Sequence, residues 1–280
     1  MGQSIQTHQV KKSLSVIIIT KNEEEMIANC IATLSFADEI IVVDSGSTDN
    51  TIQLAQREGA NIVLVEDGTF ADWRTAGVEQ AKGDWVLYID ADERVTPKLA
   101  KEITRTITLT SNAAFLLRRN NIHFGVWMQH GGWEHDALVR LFERDRLKKW
   151  EGNVHEHAVF EGITGQLSEP LVHLTHRSLQ DGLQKSIVWT DIEARLLFDA
   201  GAPAVTQVTI MRKMCMEFIR RFFVKKGYKD GMEGFIESLQ QEMNRFFVYE
   251  RLWELQQKPT LEEKYARYEK ELLKLWKEAS

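Results

Sequence analysis

Apolar positions along this chain fall first into short continuous runs and only later into helical periods. Leu14 to Thr20 reads LSVIIIT, β-branched and almost uniformly apolar, as expected of a central strand buried on both faces. Glu39 to Val43, Asn61 to Val65 and Trp85 to Ile89 repeat that signature. Between them lie amphipathic stretches: one running to about Leu34, another over Asn50 to Glu58, a third over Trp73 to Ala81. Asn22 is placed to cap the first, with Glu23, Glu24 and Glu25 suiting its opening turn. Strand and helix alternating at these intervals predict a parallel sheet with covering helices. Pro97 to about Thr108 adds a helix and Ala113 to Arg119 a strand.

Each strand in the first half ends in a polar cluster: Thr20-Lys21-Asn22, then Asp44 to Ser47, then Asp90-Ala91-Asp92. In open α/β sheets ligands sit at the carboxyl ends of the strands, so the three clusters converge on one edge. Two carboxylates at i and i+2 straight after a buried strand are costly without compensation. A divalent cation held together with substrate phosphates is the natural partner, and a solvated acidic turn is the bland alternative. No glycine-rich dinucleotide or P-loop pattern follows the first strand. A nucleotide here is therefore expected to be held by carboxylates, a metal and Arg74.

From Asn120 to Glu161 the chain changes character. Trp127, Trp133 and Trp150 mix with histidines 123, 130, 135, 155 and 157 and with several glycines, the composition of a binding loop that would suit a glycan. Beyond Ser178 the pattern is helical. Helices are expected from about Ser178 to Ala200, over Thr206 to Lys226, over 235–257 and over 260–278. In the second of these, Met211, Cys215, Phe218 and Phe222 share one face, with Lys213, Arg220 and Arg221 away from it. Seven Lys/Arg against the single acid Glu217 between Arg212 and Lys229 suggest contact with an anionic membrane. The last helix, rich in Lys and Glu at i,i+4, reads as solvent-facing.

Composition narrows the classes. With 280 residues, 43% hydrophobic and 27% charged, the chain reads as globular. A net charge of -6 argues against a general nucleic-acid binder. Two distant cysteines, Cys30 and Cys215, fit a reducing compartment without a disulfide framework. The amino-terminal residues 1–12 form a polar arm with no signal-peptide pattern, and no apolar run approaches the roughly 18 residues that span a bilayer. A cytoplasmic protein, peripheral on the cytoplasmic face of the inner membrane, is expected.

The segments SVIIITKNEE, IVVDSGSTDNT, a Trp-Arg-x-x-Gly helix and GDWVLYIDADE, in that order, resemble the inverting glycosyltransferases of family 2. GGWEHDALVRLFER, GNVHEHAVFEG and LVHLTHRSLQD are similar to small bacterial members related to lipopolysaccharide-core glucosyltransferases. The resemblance implies a GT-A nucleotide-diphospho-sugar transferase fold, a Rossmann-like mixed sheet with flanking helices, over residues 13–175. A helical region would follow over 176–280. It implies a nucleotide-sugar donor (UDP-glucose favoured, another UDP-sugar or an ADP-heptose as alternatives) and a lipopolysaccharide-core or other lipid-linked acceptor. It also implies Mg2+ or Mn2+ as cofactor.

Carried over by position, Thr20, Asn22, Glu23, Asp44, Arg74 and Asp90 line the nucleotide-sugar site. Asp92, Asp90 and His173 are the metal candidates, Asp92 the foremost. Asp136, in Trp133-Glu134-His135-Asp136, stands where the family's catalytic base is expected, with Glu134 beside it. Trp133, Glu134 and His155 are acceptor-side candidates. Single displacement needs no enzyme nucleophile, and no Ser-His-Asp or Cys-His pattern is evident. Two other readings stay open: a nucleotidyltransferase acting on sugar phosphates, against which the acidic Lys21 to Glu25 stretch speaks, and a non-catalytic metal- or lipid-binding relative.

Overall fold

The almost uniformly apolar LSVIIIT run becomes β1 (Leu14–Thr20), and both of its faces are covered. Leu14, Val16 and Ile18 pack with Ile27, Ile31, Leu87 and Ile89 in one core cluster. Ile17 joins Ile41, Val43, Val86 and Tyr88 in a second cluster. A strand with period-2 side chains and two dry faces has no place for polar alternation.

The computed structural model describes residues 11–152 and 156–279. Residues 1–10 of the expected arm and the acceptor candidate His155 lie outside the described residues.

Elements follow in the order β1, α1 (Ile27–Ala32), β2 (Glu39–Asp44), α2 (Thr51–Arg57), β3 (Asn61–Leu64), α3 (Phe70–Gln80), β4 (Trp85–Asp90), β5 (Glu93–Arg94) and α4 (Pro97–Leu109). Then come β6 (Ala114–His123), β7 (Val126–Trp127), β8 (Ala137–Glu143), β9 (Leu147–Glu151), β10 (His157–Phe160), β11 (Thr164–Gln166) and β12 (Leu171–Leu174). The main sheet runs β3-β2-β1-β4-β8-β6-β12-β5, while β9 and β10 form a separate two-stranded sheet. β3, β2, β1 and β4 are mutually parallel, whereas β8 is antiparallel to both β4 and β6. This is the mixed sheet with flanking helices that the resemblance implied.

α3 lies close on the sheet because Gly77 permits it: a Cβ there would sit 2.5 Å from Ile17 Cγ2 and 3.2 Å from Val43 Cγ2. α3 begins earlier than its apolar period suggests, since Thr69 and Asp72 form a reciprocal capping box. Asn22 does not cap α1. Its φ is +55°, and its Oδ1 accepts from Thr48 N at 2.8 Å, tying the loop after β1 to the loop after β2. Asparagine tolerates the left-handed region, and a long-range turn contact outcompeted the local cap.

The chain divides into two compact units: residues up to Trp127 with His135–Thr175, and Met128–Glu134 with His176–Ser280. The second unit holds α5 (Leu179–Asp199), α6 (Gln207–Phe218), α7 (Gly231–Leu255) and α8 (Leu261–Ala279). Ser178 and Thr206 cap α5 and α6 through their side chains. Ala194, Val248 and Leu252 form its small dry core, and Arg245 grips Glu193 with two contacts of 2.6 Å.

Within this unit Asp230 anchors the segment 128–134. Its carboxylate accepts from Gln129 N (3.0 Å) and His130 N (2.8 Å) and contacts His130 Nδ1 at 2.7 Å. α6 follows its apolar period only in part. Phe218, and Phe222 after it, pack on Phe235, but Lys213 stacks on the Tyr249 ring and Glu217 accepts from Arg221, while Met211 (59% exposed), Cys215 and Met216 face outward.

Candidate active site

Strand register alone brings the polar ends together. Thr20 pairs with Asp44 across β1 and β2, and Ile19 pairs with Asp90 across β1 and β4. On the other side of β4, β12 sits between β6 and β5, so His173 lies opposite both Asn121 and Glu93. Asp136 ends up beside Arg119, whose N–H donates to the Asp136 carbonyl at 2.8 Å.

The nucleotide-side candidates occupy the first three loops. Asp44 is fully buried, and its carboxylate accepts from Gly46 N (3.0 Å), Ser47 N (2.8 Å) and Ser47 Oγ (2.5 Å). That rigid turn shapes the loop after β2. Glu23 N donates to Thr51 Oγ1 at 2.8 Å. Thr20 Oγ1 is buried with no hydrogen-bond partner among the described residues. Arg74 is buried against aromatic rings, with its guanidinium 4.8 Å from the Trp150 ring centre and 5.4 Å from that of Tyr88. Its Nε donates to Glu156 Oε1 at 2.9 Å. Tyr88 and Trp150 are themselves bonded, Trp150 Nε1 donating to Tyr88 Oη at 3.0 Å.

Behind the Asp-x-Asp pair lies a buried charge network that the residue pattern did not reveal. Arg140 (4% exposed) grips Asp90 with both terminal nitrogens and stands 3.5 Å from Glu93. Glu93 is fully buried and accepts from Asp90 N at 2.8 Å and Arg119 Nη1 at 3.3 Å. Arg119 forks Asp136, Nε to Oδ2 at 2.8 Å and Nη2 to Oδ1 at 3.0 Å. Asn121 Nδ2 adds a third bond to Asp136 Oδ2 at 2.9 Å.

Burial by itself pushes the Asp90 carboxyl up. Arg140, with Arg74 and Arg119 behind it, outweighs burial and holds that acid well below the usual carboxylate range. For Glu93 burial wins and the acid is pushed up, the guanidinium groups offsetting it only in part. Removing a buried partner leaves an uncompensated charge, at a cost of about 3–5 kcal/mol. Arg140→Leu is therefore expected to lower folding stability by about that amount, read as an earlier urea midpoint at unchanged slope. A midpoint within error of the parent would show that Arg140 is not what holds Asp90 and Glu93 in the interior.

His173 and Asp92 complete the arrangement. His173 Nδ1 contacts Asn121 Oδ1 at 2.6 Å, and Asn121's amide orientation is set by its Nδ2 donating to Asp136. That places a proton on Nδ1, and Nε2 stands 3.4 Å from Asp92 Oδ2, where a proton on Nε2 or a cation between the two would join them. A carboxylate oxygen of Asp92 and an imidazole nitrogen of His173, side by side next to the buried Asp90–Arg140 pair, are a donor set that suits a divalent cation.

Of the other candidates, Trp133 and Glu134 belong to the helical unit. There Arg221 lies over the Trp133 ring at 5.5 Å and Glu134 Oε2 accepts from Gly132 N at 2.8 Å. Cys30, on α1, is not poised for nucleophilic chemistry, as burial pushes its thiol up to about 12.

Residues 15–160 match the family model described as glycosyl transferase family 2. The chain belongs to that family. As a glycosyl transferase family 2 member it is a transferase that uses nucleotide-sugar donors. It is 26% identical over 262 residues to an uncharacterized glycosyltransferase of Rickettsia bellii, covering 87% of each chain. It is 25% identical over 252 residues to the lipopolysaccharide core biosynthesis glycosyltransferase LpsC of Rhizobium meliloti, covering 87% of this chain and 93% of that one. Among solved structures it is similar to glucosyl-3-phosphoglycerate synthase from Mycobacterium tuberculosis in complex with Mg2+ and uridine diphosphate. That match has 19% identity, a TM-score of 0.46, and covers 69% of this chain and 80% of the other.

Proposed function

We propose that this glycosyltransferase moves a hexose from UDP-glucose to a lipopolysaccharide-core or other lipid-linked glycan by single displacement with inversion, assisted by Mg2+ or Mn2+. The observation that carries the reading is His173 Nε2 standing 3.4 Å from Asp92 Oδ2 beside the buried Asp90–Arg140 pair. Asp92 and His173 would hold the cation, with Asp90 kept ionised behind them by Arg140. When bound, the cation supplies Lewis-acid neutralisation of the departing nucleoside diphosphate.

Thr20, Asn22, Glu23, Asp44 and Arg74 line the nucleotide side. The buried Thr20 hydroxyl, which has no partner among the described residues, supports this assignment. Asp136 takes the acceptor hydroxyl proton. Its Oδ1 accepts one hydrogen bond, from Arg119, and keeps a lone pair to offer. Trp133, Glu134 and His155 are assigned to the acceptor side. The likeness to LpsC, named for lipopolysaccharide core biosynthesis, supports the acceptor class.

No described helix is long and apolar enough to cross a membrane. A peripheral contact is supported by Ile219 (51% exposed), Phe223 (55%) and Val224 (69%) beside Arg220, Lys225 and Lys226.

One experiment tests substrate and location together. Purified protein is given a panel of nucleotide sugars with Mg2+ or Mn2+, with EDTA as control, and anionic vesicles carrying extracted glycolipid. Nucleotide release from UDP-glucose that stops with EDTA, and protein that pellets with the vesicles, are expected. Turnover of a different nucleotide sugar overturns the donor assignment. Consumption of a nucleoside triphosphate with a sugar phosphate establishes the nucleotidyltransferase instead. Protein left in the supernatant overturns the membrane contact.

A further inference from the structure

Helix α8 carries apolar side chains at Leu261, Tyr265, Tyr268, Leu272 and Leu275, spaced four, three, four and three residues apart. That is the alternation of d and a positions in a heptad, an average of 3.5 residues per turn. A seam of this kind normally faces a partner helix. Here every residue from Tyr265 to Ala279 is exposed, Tyr265 at 75%, Tyr268 at 66% and Leu275 at 61%. A lone helix of 19 residues is close to the length at which helices are marginal in water, and most helical stability in proteins comes from packing an apolar face. The seam calls for an occupant.

Charge decides which one. The helix has five acids (Glu262, Glu263, Glu269, Glu271, Glu278) and five bases (Lys264, Arg267, Lys270, Lys274, Lys277), so it carries no net charge. Of the six positions flanking the seam, four are glutamates: Glu262 and Glu269 at e, Glu271 and Glu278 at g. Lys264 is the one base among them. The four glutamates border the apolar stripe and would meet an anionic lipid surface first, while the bases Arg267, Lys270, Lys274 and Lys277 lie at c and f, away from it.

A second copy of α8 fits in one orientation. In a parallel pair each g residue meets the e residue five positions on in the partner helix. Lys264 then meets Glu269, twice by symmetry, and Glu271 meets Trp276, with no like-charged pair. An antiparallel pair with Leu261 opposite Ala279 sets Glu269 against Glu269 and Glu271 against Glu271 at its centre. Lys264 donates to Gln257 Oε1 at 2.9 Å within its own chain and keeps two hydrogens for the second contact.

We propose that α8 is a self-association helix, pairing in parallel with α8 of a second copy of this chain. The pair is a two-stranded coiled coil whose register is set by Lys264 against Glu269. The proposal is independent of the substrate assigned above.

The test is the mass of the full-length protein in solution at micromolar concentration, by sedimentation equilibrium. Twice the chain mass of 32.3 kDa is expected. Leu272→Asp with Leu275→Asp should return the single-chain mass and lose no more far-UV helical signal than α8 itself supplies, since neither side chain is part of a described core. Lys264→Glu alone and Glu269→Lys alone should each weaken the dimer roughly tenfold. The combined Lys264→Glu/Glu269→Lys chain should recover parent affinity, a rescue that only parallel pairing gives. A single-chain mass for the parent, or a dimer indifferent to the Leu272/Leu275 change, overturns the proposal. So does a parent monomer that uses α8 to pellet with neutral or anionic vesicles.

Discussion

Asp136→Asn is expected to lower turnover about 10²- to 10⁴-fold while leaving nucleotide affinity unchanged. The asparagine keeps the size of the side chain and one oxygen for the donors Arg119 and Asn121. It cannot accept the acceptor hydroxyl's proton. The structure makes this a sharp test, because Arg119 and Asn121 fix the Asp136 carboxylate from one side and a carboxylate that cannot swing is either well placed or useless. Glu134→Gln is the comparison. Glu134 lies two residues away and is already turned to its own loop, where Gly132 N holds it. If Asp136→Asn keeps more than about a tenth of parent turnover and Glu134→Gln does not, the base is Glu134 and the Arg119–Asp136 fork is structural.

Asp92→Ala should cost about 10²- to 10³-fold in turnover, the loss of several kcal/mol of charge stabilisation on the leaving diphosphate. The same loss should follow from EDTA in the parent, and the two should not add, since both remove one interaction. His173→Ala is expected to act in the same direction and less strongly, because Asp92 remains. His173→Gln separates ligation from packing, as its amide can fill the volume but offers a weaker donor to a cation. Asp90 behaves differently. Its oxygens are engaged by Arg140, so Asp90→Ala strips that arginine of a buried partner and should destabilise the fold as well as the reaction.

Much of this site was readable in advance because it follows from strand ends. β1, β2 and β4 are buried on both faces, so their residues form continuous apolar runs and their last residues turn abruptly polar. Thr20, Asp44 and Asp90 are such ends, and parallel register forces them together. The supporting network was not readable. Arg140 in ALVRLFE and Arg119 with Asn121 in LLRRNNIH look like the solvent-facing half of an alternating strand. They point instead into a buried site where Asp90, Glu93 and Asp136 neutralise them, a pairing between strands remote in sequence. α6 misleads in part: Phe218, with Phe222 just beyond its end, packs on Phe235 as the period suggests, but Lys213 and Glu217 share that side through ring stacking and ion pairs, leaving Met211 and Cys215 outside. In α8 the lysines and glutamates read as a solvated surface, and the heptad beneath them becomes informative only once Tyr265, Tyr268 and Leu275 prove exposed.

The most direct test of the central claim, that Asp92 and His173 hold a divalent cation for a nucleoside diphosphate, is a calorimetric titration of UDP into the parent protein and into Asp92→Ala, each with and without Mn2+. Mn2+ is expected to tighten UDP binding to the parent and to make no difference to Asp92→Ala. Equal UDP affinity in the parent with and without Mn2+ would contradict it and leave Asp92 facing His173 for structural reasons alone.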